Sequence, residues 1–275
     1  MKLNGLNKIT TPLSSTPKMP VLFLGHGSPM NAIQETEFSR TWQGLKDSIP
    51  TPKAILCISA HWITEETSIT SNSLPPTIHD FGGFPKELYE VEYPAPGDPD
   101  IAKQIKDSIN DHQINLDDSW GLDHGTWSIL RHIYSDANIP VLQLSLKNTA
   151  DGSYHYNLGR KLQFLRKQNI LIIASGNLIH NLRLVDWSKM NDSEFGFKWA
   201  LEANDLFKML ITSRNTGKLI NYQDLGPNID LSVPTPEHFL PFLYILGASF
   251  PSDEIQIFND RVIMGSLNMT SVRYG

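Results

Sequence analysis

The sequence predicts an α/β fold: one domain on a mostly parallel central sheet, flanked by helices and followed by a C-terminal hairpin. Three observations lead there. Four short runs, PVLFLG (20–25), KAILCISA (53–60), PVLQLSL (140–146) and NILIIASG (169–176), are apolar on both faces, as strands buried between two helical layers must be. Between them the apolar residues recur at helical spacing, and strands alternating with helices imply parallel βαβ units. The tail EIQIFNDRVIMGSLNMTSVRYG reads instead as a hairpin turning at Asn259-Asp260.

Taken in order, residues 1–19 are polar and rich in Ser, Thr and Pro, and are expected to form a flexible arm; residues 20–275 form the domain. Ile101, Ile105 and Ile109 mark one helix after a Pro-Asp start, and Leu158, Leu162 and Leu165 mark a second. Trp199, Leu206 and Leu210 mark a third. The segment from Leu74 to Pro99 has no periodicity, and its aromatic residues predict an ordered loop over the functional site.

Composition narrows the function. The 275 residues carry 23 Lys+Arg against 29 Asp+Glu, a net charge of −6, which argues against a nucleic-acid partner. The one cysteine, Cys57, excludes an internal disulfide framework and a cysteine-based zinc cluster. The longest apolar stretch, Phe239 to Phe250, is interrupted by Pro241 and falls short of the roughly 20 residues of a membrane span. No targeting segment is visible, so a cytoplasmic location is expected.

The nine histidines are where chemistry concentrates. His26 follows PVLFLG, His61 follows AILCISA, and His180 lies just past ILIIASG. Ligands of open α/β sheets bind at the carboxyl ends of strands, so these three converge on one crevice. Neutral imidazole is a common metal ligand and also an acid–base group, and both roles are open. His124 precedes the helical TWSILRHIY, and His238 follows Pro236, which is placed to open a helix. His112 reads as solvated, and His132 and His155 read as structural. Asp80-Phe81-Gly82 reads as a coincidental match to a kinase triplet, because no phosphate loop accompanies it.

GHGSPMN (25–31), SAHW (59–62), PPTIHDFGGFP (75–85), YPAPG (93–97), WGLDHGTW (120–127), SGNLIHNLR (175–183) and PTPEHFLP (234–241) together resemble the DOPA-type extradiol ring-cleaving dioxygenases of the class III extradiol superfamily. The resemblance runs from about Met19 to the C-terminus. It implies one divalent metal ion held by His26 and His61, with His238 as third ligand where better-known members use a glutamate. It places the acid–base histidine on His180, which can also approach the metal, and a substrate-facing histidine on His124. Iron(II) is the ion implied for catalysis, with zinc(II) as a bound or purified form. The partners implied are a catechol and dioxygen. Trp62, Phe81, Phe84 and Trp127 are expected to wall the ring. A zinc-dependent hydrolase on the same histidines, or a binding module without catalysis, would fit the residues without the resemblance.

Overall fold

The computed structural model describes residues 18–190 and 192–275. In chain order its strands are β1 (Val21–Gly25), β2 (Ala54–Thr64), β3 (Ser68–Thr70), β4 (Asn115–Asp117), β5 (Val141–Lys147), β6 (Ile170–Gly176), β7 (Ile255–Phe258), β8 (Val262–Ile263), β9 (Leu267–Asn268) and β10 (Ser271–Tyr274). Eight form one sheet in the order β4-β3-β5-β2-β6-β1-β10-β7, and β8 and β9 pair separately. The four predicted runs are the parallel centre, β5-β2-β6-β1. The edges are antiparallel additions, β3 on β5 and β10 on β1.

Alternation along these strands divides the core in two. Val21 and Phe23, Leu56 and Ile58, Ile172 and Ala174 face one apolar layer; Leu22 and Leu24, Ile55 and Cys57, Leu171 and Ile173 face the other. Helices Pro99–Ser108, Gly152–Lys161, Lys198–Thr212 and Leu240–Ala248 cover the first face, and Glu37–Ser48 and His124–Ile133 cover the second. Their starts are written locally. Asp98, Asp123 and Asp151 each accept a backbone N–H of the first turn, and Thr36 with Ser39 forms a capping box. Pro241, which interrupts the apolar run in the sequence, sits in the first turn of Leu240–Ala248, where its missing N–H costs nothing. All nine residues of that helix are buried. Each large side chain there contributes about 1.5–3 kcal/mol of burial. No helix among the described residues is long and apolar enough to cross a membrane.

Four expectations are adjusted. The arm expected over residues 1–19 lies outside the described residues as far as residue 17; Met19 is fully buried and exchanges backbone and side-chain hydrogen bonds with Arg166. The terminal hairpin pairs β7 with β10, but the chain does not turn directly at Asn259-Asp260: it leaves β7 there and makes the small β8–β9 hairpin before returning. In helix Lys198–Thr212 the buried stripe is Ala200, Ala203, Phe207, Leu210 and Ile211, with Trp199 and Leu206 only flanking it. Pro236 opens a turn, not a helix: the amides of Phe239 and Leu240 both donate to its carbonyl, and the helix begins at Leu240.

Candidate metal centre and active site

Three adjacent strands, β2, β6 and β1, deliver histidines to one end of the sheet. His26 follows β1 and donates its backbone N–H to Gly176 at the end of β6, 3.2 Å away. His61 lies inside β2, which runs on to Thr64 beyond the predicted end. Pairing with β6 stops at Ser59, and pairing with β5 slips between Ile58 and Ile63, so His61 occupies an irregularity that re-aims its side chain. His180 is pinned between two segments, donating its N–H to Ser232 at 2.8 Å and bridging Leu267. His124 is the first residue of helix His124–Ile133. His238 sits in the Pro236 turn, and its carbonyl accepts the Asn177 N–H at 2.9 Å. Gly176 permits that approach, since a Cβ there would meet the His238 carbonyl oxygen at 2.2 Å.

These five rings form one cluster. His26 and His61 present their Nε2 atoms to each other at 3.1 Å. Ligand atoms of His26, His61 and His124 lie within 4.8 Å of one another, as do those of His180, Glu237 and His238. The His238 ring is centred 5.3 Å from His26 and 5.1 Å from His61, and it stacks on His180 at 3.5 Å.

Hydrogen bonding assigns the tautomers. Ser175 Oγ donates to the Gly125 carbonyl at 2.5 Å, so it must accept from His26 Nδ1 at 2.9 Å. His26 Nε2 therefore carries a lone pair. Asp80 Oδ2 accepts from His124 Nδ1 at 2.9 Å, which places the lone pair of a neutral imidazole on His124 Nε2. Burial, reinforced by the neighbouring histidines, holds His26 and His238 well below the usual imidazole range. Burial pushes His61 down to about 3, and His180 to about 4 against the opposing pull of Glu237. All four are neutral at pH 7, the form in which histidine ligates.

The His26, His61 and His124 group is compatible with a single divalent ion. His26 and His61 bring their Nε2 atoms within 3.1 Å of each other, and His238 Nδ1 is buried with no hydrogen-bond partner. Glu237 lies to one side: its Oε1 accepts from Thr235 Oγ1 at 2.6 Å and stands 3.6 Å from His238 Nδ1.

Among the aromatic candidates, Phe81 meets the cluster, with its ring 5.5 Å from His124 and edge-on to it. Phe84 packs behind Phe81 at 5.4 Å. Trp127 is fully buried under the same loop and donates Nε1 to the Ile78 carbonyl at 2.8 Å. Trp62 is buried and stacks flat on Trp120 at 5.5 Å, away from the histidine rings. The two structural histidines have partners that the sequence did not reveal: His132 Nε2 reaches the Asn31 carbonyl at 2.7 Å, and His155 Nδ1 lies 3.3 Å from the Tyr244 hydroxyl.

Sequence reasoning missed two carboxylates. Asp80, part of the kinase-like triplet, accepts from both the backbone and the ring of His124. Burial pushes its carboxyl up, but the His124 contacts outweigh this and hold it below the usual range. Asp123 is wholly buried and held by Ser59 and Gln143 at 2.7 Å each; burial pushes it up to about 6. Asp123 had a signal, an acidic residue just before an apolar helical run. Asp80 had none, because its partner is 44 residues away.

The α/β sheet carries a buried histidine cluster at its strand ends that is compatible with a bound metal ion. The chain belongs to the family of the catalytic LigB subunit of aromatic ring-opening dioxygenase, whose profile matches residues 20–261. It is 44% identical over 267 residues to the 4,5-DOPA dioxygenase extradiol of Escherichia coli K12, covering 96% of this chain and 97% of that one. It is 34% identical to the protein of the same name from Beta vulgaris, over 92% of this chain and 95% of that one. A crystal structure of an uncharacterized Escherichia coli K12 protein superposes with a TM-score of 0.79 at 38% identity, over 94% of this chain and all of the other.

Proposed function

We propose that this dioxygenase opens the ring of DOPA or a closely related catechol beside its two hydroxyls, using dioxygen, with His26, His61 and His238 holding one iron(II) ion. The supporting observation is the convergence of neutral imidazoles on one crevice, in a family of ring-opening dioxygenases whose relatives named above are called 4,5-DOPA dioxygenases. A redox-active ion supplies the activation of dioxygen and a positive charge for the catechol oxygens; zinc would supply the charge alone.

The chain's own residues supply the rest. His180, neutral and stacked on His238, accepts a catechol proton and later returns it to the opening ring. It retains some exposure, whereas His26 and His238 are buried, so it is placed to exchange that proton with solvent. His124 holds an acceptor nitrogen toward the cluster, and Phe81 lies against it as a wall for an aromatic ring. Ser175 and Asp80 hold the histidine orientations on which these roles depend.

The test is anaerobic reconstitution with iron(II), followed by a panel of catechols and air. Oxygen uptake with a yellow ring-opened semialdehyde from DOPA is the expected outcome. Oxygen uptake with none of the catechols, by protein carrying one iron per chain, would refute the reading.

A further inference from the structure

We propose that Asp80 is the positioning residue of this site: one loop-borne carboxylate that fixes His124 in the Nδ1–H tautomer and turns its acceptor nitrogen inward. The inference rests on reading the histidine cluster as the reaction site, and its readouts do not pass through turnover.

The geometry leaves Asp80 one role. Oδ1 accepts the His124 backbone N–H at 2.9 Å. That amide begins a helix and has no intrahelical acceptor, so it can only donate outward. Oδ2 is then committed to the ring, accepting from His124 Nδ1 at 2.9 Å and lying 3.5 Å from His61 Nδ1. The two rings are centred 3.9 Å apart, so the same carboxylate oxygen also lies close to His61. In a neutral imidazole a proton held at Nδ1 leaves the lone pair on Nε2, and a carboxylate beside an imidazole is a general device for setting its tautomer and angle.

Asp80 also ties loop to site. It is flanked by Phe81, which packs on His124, and the loop beneath is fastened by Trp127 to the Ile78 carbonyl. The contacts that hold the loop therefore also orient His124. Asparagine cannot take over. Its amide oxygen can accept the His124 backbone N–H, but its NH2 then faces Nδ1 and demands a lone pair there. The proton moves to Nε2, and an N–H points where an acceptor stood. Flipping the amide sets donor against donor at the backbone.

The experiment uses the full chain labelled with 15N-histidine, metal-free, read by long-range proton–nitrogen correlation. The wild type is expected to show His124 protonated at Nδ1, and Asp80→Asn to show it protonated at Nε2. Zinc affinity, measured by competition with a chromophoric chelator, should fall about 10- to 100-fold in the variant. The melting temperature of the metal-free variant should stay within a few degrees of wild type. An unchanged tautomer in Asp80→Asn, or zinc affinity that falls only as far as a matching loss of fold, overturns the proposal. The wild-type spectrum decides even where the variant fails to fold, because His124 protonated at Nε2 there also overturns it.

Discussion

Gly125→Ala separates the stability of the helix from the accuracy of the site. Gly125 is the second residue of helix His124–Ile133, and its Cα faces the cluster. A Cβ there would stand 2.6 Å from Ser59 Oγ, 2.9 Å from His61 Cδ2 and 3.2 Å from Ser175 Oγ. None of these atoms is free to leave. Ser59 Oγ donates to Asp123 at 2.7 Å and accepts the His61 N–H at 3.2 Å, while Ser175 Oγ bridges His26 to the Gly125 carbonyl. Restoring ordinary contact of about 3.5 Å requires the His61 ring to retreat by roughly half an ångström. Metal–ligand distances are held to about 0.2 Å, so zinc affinity should fall by about tenfold or more. Helix propensity opposes the clash: alanine gains up to ~1 kcal/mol over glycine, against ~1–3 kcal/mol for overpacking. For a chain of 275 residues about 2 °C corresponds to each kcal/mol, so the metal-free melting temperature should move by only ~6 °C or less. Chelator competition and a thermal melt of metal-free protein make the test. Zinc affinity within twofold of wild type would show that the glycine does not guard His61.

Other perturbations follow from the same geometry. His180→Ala should keep its metal and lose about 100- to 10,000-fold in turnover, measured as oxygen uptake by iron-loaded protein; loss of the metal would make His180 a required ligand. His238→Ala should empty the site and Glu237→Ala should leave it filled, by metal analysis after dialysis; the reverse would return the third position to a carboxylate. Away from the site, Asp253→Asn should cost about 3–5 kcal/mol, or roughly 5–10 °C in melting temperature, because it strips the fully buried Arg166 of its partner at 2.6 Å. Burial raises the Asp253 carboxyl, but Arg166, Lys18 and the Phe250 amide outweigh it and hold it below the usual range. Its stabilisation is therefore complete above the unfolded value near pH 4 and fades as pH falls through the depressed folded value. The gap between wild type and variant should close in acid, and a gap that persists there would refute the pairing.

The parallel centre of the sheet was legible because its strands are buried on both faces, which writes an unbroken apolar run for β1, β2, β5 and β6. Position just past those runs was enough to assign His26, His61 and His180 to one crevice. Short edge strands left no such trace: β3 and β4 have three residues each, and β10 enters between β1 and β7 through pairing that no local pattern encodes. The His61 irregularity was hidden for a related reason, since β2 resumes its ladder with β5 only after the slip. Asp80 and Ser175 were invisible as site residues because each is defined by a partner distant in sequence, at His124 and His26.

The placement of β10 bears on how the protein comes into being. The strand that precedes His26 is made long before the one that completes its flank, for Val21 finds its antiparallel partner only at Tyr274. Met269 meanwhile crosses so near Gly25 that a Cβ would strike its backbone at 2.7 Å. During synthesis β1 must wait with one flank uncovered until β10 has left the ribosome, and closing so long a loop makes folding slow. A chain ending before β10 would carry all five site histidines but leave the flank of β1 beside His26 unpaired.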